Sequence, residues 1–446
     1  MRAATISPAH MSTISSPLHN AAQPPFKVPG PLGYGERLQF YLLRFGEMTA
    51  LVVFLSFCVM WVQWQTSGPD FYPVSGDFTG FWTAGELALE GHPADAYREM
   101  PHFFKELALH GDTRRLYIAF FYPPIFMLLC TGFALLSYFP ALCLWLASTF
   151  VCYAAALRAL LPKSLGKGAN VWVLFIGYPA VMVNVGFGQN GFLSTALLGG
   201  ATVWLDRRPE LAGICFGCLA YKPQLGIIVP LALAVARRWR VFIVASVTVA
   251  VLAVISTLAF GVGIWGPFLA DMSVAQHNWL EAPVPSYLRF LITVFGAVRL
   301  HDGSLALAYS LQAAVTVAAI AMLIAALLMR PSGERSGRSE GAAIAACVPF
   351  CSPFMLEYDL LILAVPMAWL LGEALRDGFR RGEGLALAAT FVAPAVFKIT
   401  AFDNMLKLWP IAAPALLFVM VLRRMVKPAE QPVPRQLPAP AKAALS

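Results

Sequence analysis

Long apolar runs are the feature that most constrains this chain, and the clearest lie at 240–262 and 304–329. A helix of about 20 apolar residues is long enough to cross the hydrocarbon core of a bilayer. The runs are continuous and do not alternate polar and apolar residues, as the strands of a membrane β-barrel do. Of the 446 residues, 59% are apolar and 13% charged, whereas about 25% are charged in soluble domains. The sequence therefore predicts an all-α polytopic membrane protein and excludes an ordinary soluble enzyme.

The apolar runs predict about twelve transmembrane spans within one membrane domain at 46–425. The predicted spans are 48–64, 118–139, 141–160, 170–187, 190–205, 210–236, 240–262, 304–329, 341–352, 359–375, 384–400 and 404–424. Two long loops, 65–117 and 263–303, separate some of them. Helical periodicity within the first loop, at Phe81–Leu89 and Phe103–Leu109, predicts interfacial helices that lie on the membrane.

Basic residues at the span ends predict the orientation of the bundle. The clusters that share one side of a twelve-span bundle are 237–240, 330–338, 376–381 and 423–427, with Arg37 and Arg44. Because cytoplasmic loops are rich in Lys and Arg, that side is predicted to be cytoplasmic. The segments 1–45 and 426–446, which are predicted to be mostly disordered, then lie in the cytoplasm, and both long loops face outward. Basic residues at 158–167 and 207–208 are exceptions, because they fall on the outer side.

This distribution also accounts for the formal net charge of +8. The basic residues stand where membrane topology places them, so a nucleic-acid partner is not expected. The lipid bilayer is the expected environment, and the protein is predicted to be a multi-pass protein of the inner (plasma) membrane.

Asp77 is the first candidate for chemistry, because it lies in the first outward loop among aromatic residues that include Phe78 and Trp82. A carboxylate that is partly dehydrated by such neighbours becomes more basic, which suits a general base acting on a hydroxyl. The alternatives are an N-cap for the helix predicted at Phe81–Leu89 and a solvated loop acid.

Lys222 is the clearest anomaly, because it is predicted near the middle of the apolar span 210–236. A charged residue at mid-bilayer costs about 2.5–3.5 kcal/mol on insertion scales, so it normally faces a polar cavity or an anionic partner. Pro223 follows it and predicts a break in the helix. The functional interpretation is an anion site for phosphate, and the alternative is a lysine that snorkels from a misplaced span end.

Three further segments carry polar groups. Gln189 and Asn190 join two predicted spans, where they can bind sugar hydroxyls or bond neighbouring helices. Tyr358 and Asp359 lie in a short outward turn, where they can cap a helix or line a site. His277 in the second long loop is a further candidate for binding an anion, although a lone loop histidine is usually solvated.

No motif for a cofactor or a metal is present. The sequence lacks the D-x-D of metal-bound nucleotide-sugar sites, the P-loop, a G-x-G-x-x-G that joins a strand to a helix, and H-E-x-x-H. Cys215 and Cys218 form a C-x-x-C inside a predicted span without a second pair, which favours free thiols over zinc. We therefore expect neither a cofactor nor a bound metal.

The motifs occur in an order that resembles glycosyltransferase family 87, which has the GT-C membrane fold. The motifs are Asp-Phe at 77–78, Phe-Trp-x-Ala-Gly at 81–85, Phe-Tyr-Pro-Pro at 121–124, Gly-Gln-Asn at 188–190, Lys-Pro-Gln at 222–224, Ser-Pro at 352–353 and Tyr-Asp at 358–359. The resemblance covers about 46–425. It implies a GT-C-type bundle of about 12 transmembrane helices with interfacial helices in two long extracytoplasmic loops.

The resemblance also implies an activity, that of a polyprenol-phosphate-mannose-dependent alpha-mannosyltransferase. The donor would be a polyprenyl-phosphate sugar, and the acceptor a glycolipid or glycan on the outer face. Related GT-C enzymes use an Asp of the first outward loop as base, and Asp77 matches that position. Lys222 would bind the donor phosphate. His277 is predicted to do the same, although it matches no motif of the family. The implied substrate-binding residues are Trp82, Tyr122, Gln189, Asn190, Gln224, Tyr358 and Asp359.

The chemistry of such a transfer agrees with the residues present. A lipid phosphate is already a good leaving group, so one base suffices where glycosidases need two carboxylates. The competing hypothesis is a transporter or flippase of a lipid-linked sugar, which would also use a broken helix and a mid-membrane lysine. No internal repeat is visible, however, and the polar loops are distributed unevenly, which favours the transferase.

Overall fold

The computed structural model describes residues 44, 46–52, 54–55, 58, 76–110, 117–162, 169–282, 288–330, 336–399 and 409–426. The predicted terminal segments 1–45 and 426–446 lie almost entirely outside these residues. Much of the first predicted span, 48–64, and the loop residues 65–75 lie outside them as well.

The described part of the chain is helical, and its only paired extended residues form one antiparallel bridge between Leu291 and Leu356. The α-helices are α1 Gly76–Leu89, α2 Glu99–His110, α3 Pro124–Ala134, α4 Tyr138–Leu160, α5 Ala169–Ile176, α6 Pro179–Phe187, α7 Gly191–Trp204, α8 Pro209–Cys218, α9 Pro223–Gly226, α10 Val229–Val235, α11 Trp239–Phe260, α12 Trp265–Ala275, α13 Val294–Leu300, α14 Leu305–Met329, α15 Gly337–Cys347, α16 Ala364–Asp377, α17 Glu383–Ile399 and α18 Trp409–Val426. Short 3-10 turns lie at Pro93–Tyr97, Leu219–Tyr221, Val262–Ile264, Val348–Phe350 and Glu357–Leu363, and a π-helical turn at Gln276–Glu281.

Four helical segments of the described chain are long and apolar enough to cross a membrane. They are Tyr138–Leu160, Trp239–Phe260, Leu305–Met329 and Glu357–Asp377, and they coincide with predicted spans. The all-helical membrane class is therefore confirmed, while the number of about twelve spans stays a prediction. The helices predicted at Phe81–Leu89 and Phe103–Leu109 are present as parts of α1 and α2, although their place at the membrane surface stays a prediction.

Proline determines where several helices begin. The helices α3, α6, α8 and α9 start at Pro124, Pro179, Pro209 and Pro223. Proline suits the first helical position, and it drives the preceding residue out of the helical conformation. The spans predicted at 118–139 and 170–187 are therefore not continuous helices, and the break predicted at Pro223 is confirmed.

The segment 210–236 does not cross the bundle once, as predicted, but forms a helical hairpin. Its two ends lie side by side, because Arg240 pairs with Glu210 and Arg238 lies 2.8 Å from Asp206. The helices α8 and α10 run to and from the turn at Lys222. This residue therefore lies at the tip of a hairpin and not in the middle of a single span.

The segment 118–139 also differs from the prediction, because α3 stays beside α1. The ring of Tyr122, before α3, lies 5.1 Å from that of Phe81, and the ring of Tyr138, after α3, lies 5.5 Å from that of Phe78. Both ends of this segment therefore lie beside the same part of α1. Asp206 pairs with Arg238, so the adjacent basic residues at 207–208 lie at the same end as that basic cluster, and their predicted place on the opposite side is wrong.

The bundle has two chemically different ends. The helix α7 begins next to Asn190 at one end and reaches Asp206 at the other, about 20 Å away for its length. At this far end Glu340 binds both Arg238 and Arg330 at 2.8 and 2.7 Å. Arg424 and Glu383 form a second buried pair there, 2.9 Å apart.

Packing separates outer from inner helices. In the apolar stretch of α11 only 11% of the residues are buried, whereas 83% are buried in the apolar stretch of Glu357–Asp377. The exposed side of α11 is apolar, which suits contact with lipid. Its inner side meets α8 at Gly217, where an added Cβ would lie 2.5 Å from the Cβ of Thr248. Small residues allow such close helix contacts in membranes.

Candidate functional site

Asp77 is the second residue of α1, so it is not the N-cap of that helix. Its side chain is half-buried, while Phe78, Phe81 and Trp82 behind it are buried. The predicted aromatic surroundings are therefore present. The helix packs closely on α3 at Gly85, where a Cβ would overlap the carbonyl of Cys130.

Gln189 binds Asp77 directly. Its Nε2 donates to Oδ2 of Asp77 at 2.6 Å, and its Oε1 accepts from the hydroxyl of Tyr122 at 3.4 Å and from the backbone N–H of Asn190 at 2.9 Å. Two donors on Oε1 fix which end of the amide is the oxygen. The amide N–H therefore points at the carboxylate and holds one oxygen of Asp77, while the other oxygen accepts no side-chain hydrogen bond from the residues that the structure describes.

The glycine of the Gly-Gln-Asn motif explains how Gln189 reaches this position. Gly188 ends α6 in the left-handed conformation, with φ 63°, which glycine adopts without strain. The indole of Trp145 donates to the carbonyl of Gly188 at 3.0 Å, and Oδ1 of Asn184 accepts from the N–H of Gly191 at 2.7 Å. The turn is thus anchored on both sides, which orients Gln189.

Lys222 lies beside this turn, with 3% of its surface exposed. Its Nζ is 2.5 Å from Oδ1 of Asp359 and 3.3 Å from Oδ1 of Asn190. It also lies 4.9 Å from the ring centre of Tyr358, in a cation–π arrangement. The lysine is therefore paired inside the protein and does not snorkel from a span end.

Asp359 combines the two roles that its sequence position left open. Its Oδ2 accepts from the backbone N–H of Leu356 at 3.1 Å and so caps the turn Glu357–Leu363. Its Oδ1 binds Lys222. Helix capping holds the carboxylate in place for the ion pair.

The pKa of Asp77 is raised from 3.8 to about 6. Loss of hydration is the largest cause, and the charges of Glu357 and Asp359 act in the same direction. The hydrogen bond from Gln189 and the charge of Lys222 oppose this rise. The carboxyl group therefore ionises close to neutral pH, which is where a general base is most effective.

Three predicted site residues have no side-chain hydrogen bond, ion pair or ring contact with this cluster among the described residues. The indole of Trp82 donates to the carbonyl of Leu136 at 2.9 Å and packs within the protein. Gln224 is half-buried in α9, two residues beyond Lys222. His277 is exposed, and its Nδ1 lies 3.8 Å from Glu281.

Two residues of the site were not predicted. The hydroxyl of Tyr221 lies 2.5 Å from that of Ser194 and donates to the carbonyl of Asn190 at 3.3 Å. It ties the Lys222 turn to α7. Tyr221 is adjacent to Lys222 in the chain and could have been included for that reason, whereas nothing in the sequence marks Ser194.

Within the described ranges, no group of three or more His, Cys, Asp or Glu side chains is arranged to hold a metal ion. Cys215 and Cys218 are free thiols. The polar groups of the site are instead one acid beside an amide and one lysine beside a second acid.

The family model for glycosyltransferase family 87 matches residues 120–353, just over half of the 446-residue chain. The chain belongs to this family. No curated protein and no solved structure matches it. Family membership and the apolar helices together make the protein a membrane glycosyltransferase. It acts between a sugar donor and an acceptor in a lipid bilayer.

The matched range contains only part of the cluster. Gln189, Asn190 and Lys222 lie inside it, whereas Asp77 precedes it and Asp359 follows it. The hydrogen bond from Gln189 and the ion pair of Lys222 bring both acids to the matched residues.

Proposed function

We propose that this glycosyltransferase moves mannose from a polyprenyl-monophosphate carrier to a glycolipid or glycan, with inversion at C1 and with Asp77 as general base. The observation that carries the proposal is the half-buried carboxylate of Asp77, held at one oxygen by Gln189. Family membership supports the transferase over the alternative of a transporter or flippase.

The reaction needs one base. The acceptor hydroxyl donates to the free oxygen of Asp77, and its own oxygen attacks C1 of the sugar from the face opposite the phosphate. The new C1–oxygen bond forms as the bond from C1 to the phosphate oxygen breaks, and that electron pair leaves with the lipid phosphate. The proton stays on Asp77, which returns it to water.

Lys222 is proposed to bind the phosphate of the donor. The ammonium group has three N–H donors, and Asp359 and Asn190 accept two of them. The third can stabilise the charge that develops on the departing phosphate in a site from which water is largely excluded. Asp359 neutralises the lysine when no donor is bound, so the buried charge is not left alone.

The proposed location of the reaction is the outer face of the inner membrane, with both termini in the cytoplasm. The supporting observation is that the basic clusters around Arg238 and Arg424 lie at the end of the bundle opposite Asp77. Basic clusters mark the cytoplasmic side of membrane proteins.

The test is a transfer assay in nanodiscs with radiolabelled polyprenyl-phosphate-mannose and a membrane lipid extract. We expect Asp77→Asn, which keeps the size but removes the base, to lower transfer by at least about 100-fold. The matched control is Asp95→Asn, in the same loop, whose acid pairs with the exposed Arg98 and lies outside the cluster.

The outcomes separate the parts of the proposal. Transfer by Asp77→Asn at a near-normal rate would refute the role of Asp77 as base. Donor that crosses the bilayer without being consumed would favour the flippase. Transfer from a carrier bearing another sugar, but not from the mannose carrier, would refute mannose while keeping the mechanism. In the same assay, Gln224→Ala tests a residue predicted to bind substrate through the KM for donor and acceptor, and His277→Ala tests the second residue predicted to bind the donor phosphate through the KM for the donor.

A further inference from the structure

A polar cavity lies at the end of the bundle opposite Asp77. It has a volume of about 400 Å³ and is bordered by the ends of α4, α7 and α16 and the start of α15. Arginines from three of these regions line it: Arg207 after α7, Arg338 in α15 and Arg376 near the end of α16. A cavity of this volume is large enough for a small ligand.

Two acids, Asp206 and Glu373, line the cavity beside the three arginines and neutralise their charge only in part. Asp206 accepts from Arg238 at 2.8 Å and from the backbone N–H of Gly337 at 2.6 Å. Glu373 pairs with Arg376. Neither Arg207 nor Arg338 forms an ion pair with any residue that the structure describes. Positive charge is therefore concentrated in the cavity.

The electrostatics of Arg338 agree with this arrangement. Partial burial and the neighbouring charges of Arg207 and Arg376 lower the pKa of its guanidinium, and the charges of Glu373 and Asp206 offset only part of this effect. Cations that repel one another around an open cavity are stabilised when an anion enters it. Guanidinium groups bind phosphate through paired hydrogen bonds, with a planar geometry that lysine lacks.

The cavity also has apolar lining residues, namely Leu160, Leu161 and Val203. A ligand that combines a phosphate with an apolar part would contact both kinds of residue. We propose that this cavity is a binding site for a phosphate group, separate from the transferase site and supplied by either an anionic lipid headgroup or a soluble phosphate compound.

The test measures the thermal midpoint of the purified full-length protein in detergent. Short-chain phosphatidic acid is titrated against phosphatidylcholine with the same chains, and inorganic pyrophosphate is the soluble probe. Arg207→Gln and Arg338→Gln remove the proposed ligands, and the exposed Arg207 can be replaced without disturbing the core. The matched control is Arg240→Gln, an exposed arginine at the same end that does not line the cavity.

We expect phosphatidic acid or pyrophosphate to raise the midpoint of the unchanged protein in a saturable manner. The apparent affinity should fall at least tenfold in Arg207→Gln and Arg338→Gln and stay unchanged in Arg240→Gln. A response to the lipid alone identifies the headgroup as the source, and a response to pyrophosphate identifies a soluble phosphate. An equal response to phosphatidylcholine, or an equal loss in Arg240→Gln, would overturn the proposal, because either result would indicate non-specific surface binding.

Discussion

Replacing Gln189 with alanine removes the hydrogen bond that stabilises the ionised form of Asp77. A hydrogen bond to a charged group contributes about 1.5–3 kcal/mol, and one pKa unit corresponds to about 1.4 kcal/mol. The pKa of Asp77, which stands at about 6, should therefore rise by about one to two units in Gln189→Ala. The base is active only when ionised, so activity disappears as the pH falls through this pKa.

The assay is the pH dependence of kcat/KM for sugar transfer between pH 5 and 9.5. At pH 7 the ionised fraction of Asp77 should fall from about nine tenths to between a half and a tenth. The variant should therefore be about two- to tenfold slower at pH 7 and should recover most of the loss at pH 9. A purely structural defect would lower the rate equally at every pH.

The matched control is Gln276→Ala in the second long loop. This variant removes a hydrogen bond of 2.9 Å from the amide of Gln276 to the carboxylate of Glu281. Its pH profile should coincide with that of the unchanged protein. The reasoning about Gln189 would be refuted if Gln189→Ala lost activity without a shift in the apparent pKa, or if both variants shifted equally.

Three further predictions concern stability and topology. Lys222→Met removes the ion-pair partner of the buried Asp359 and should destabilise the protein by about 3–5 kcal/mol, measured by thermal unfolding. Adding Asp359→Asn should restore much of the lost stability. A double variant that is no more stable than Lys222→Met would contradict the pairing. Arg424→Ala removes the ion-pair partner of the buried Glu383 and should lower the free energy of unfolding by a similar amount, measured by the same method. An unchanged thermal midpoint would show that the pair does not stabilise the bundle. Cysteines at Arg98 and Arg240, both exposed, should react with impermeant reagents from opposite sides of the membrane, and reaction from one side would contradict the arrangement of the two ends.

Much of the candidate site could be predicted from local sequence. A lysine in an apolar run and an acid among aromatic residues stand out because their chemistry conflicts with their neighbours. The residues that contact them were also candidates, but which residue contacts which could not be predicted. That Gln189 binds substrate stays a prediction. Its hydrogen bond to Asp77 was not predicted, because no sequence pattern reports a contact across so many residues.

The predicted topology shows why hydropathy has a limit. Hydropathy averaged along the sequence shows how long an apolar run is. It does not show whether the chain continues across the bundle or turns back within that run. The run at 210–236 was long enough for one span, and only the pairing of Arg240 with Glu210 reveals that the chain turns back at Lys222. For the same reason, hydropathy did not reveal that the segment 118–139 folds back, so that both ends of α3 lie beside α1.

The sequence by itself determined the environment, the helical class and the family, because apolar content, run length and motif order are properties of the chain alone. The tertiary structure decided which charges meet. Asp77, Gln189, Lys222 and Asp359 come from four distant segments, and their proximity depends on helix packing and on the turns at Gly188 and Pro223. The tertiary structure also decides the basicity of Asp77. Its carboxylate loses hydration and meets the neighbouring charges only once the helices have packed together.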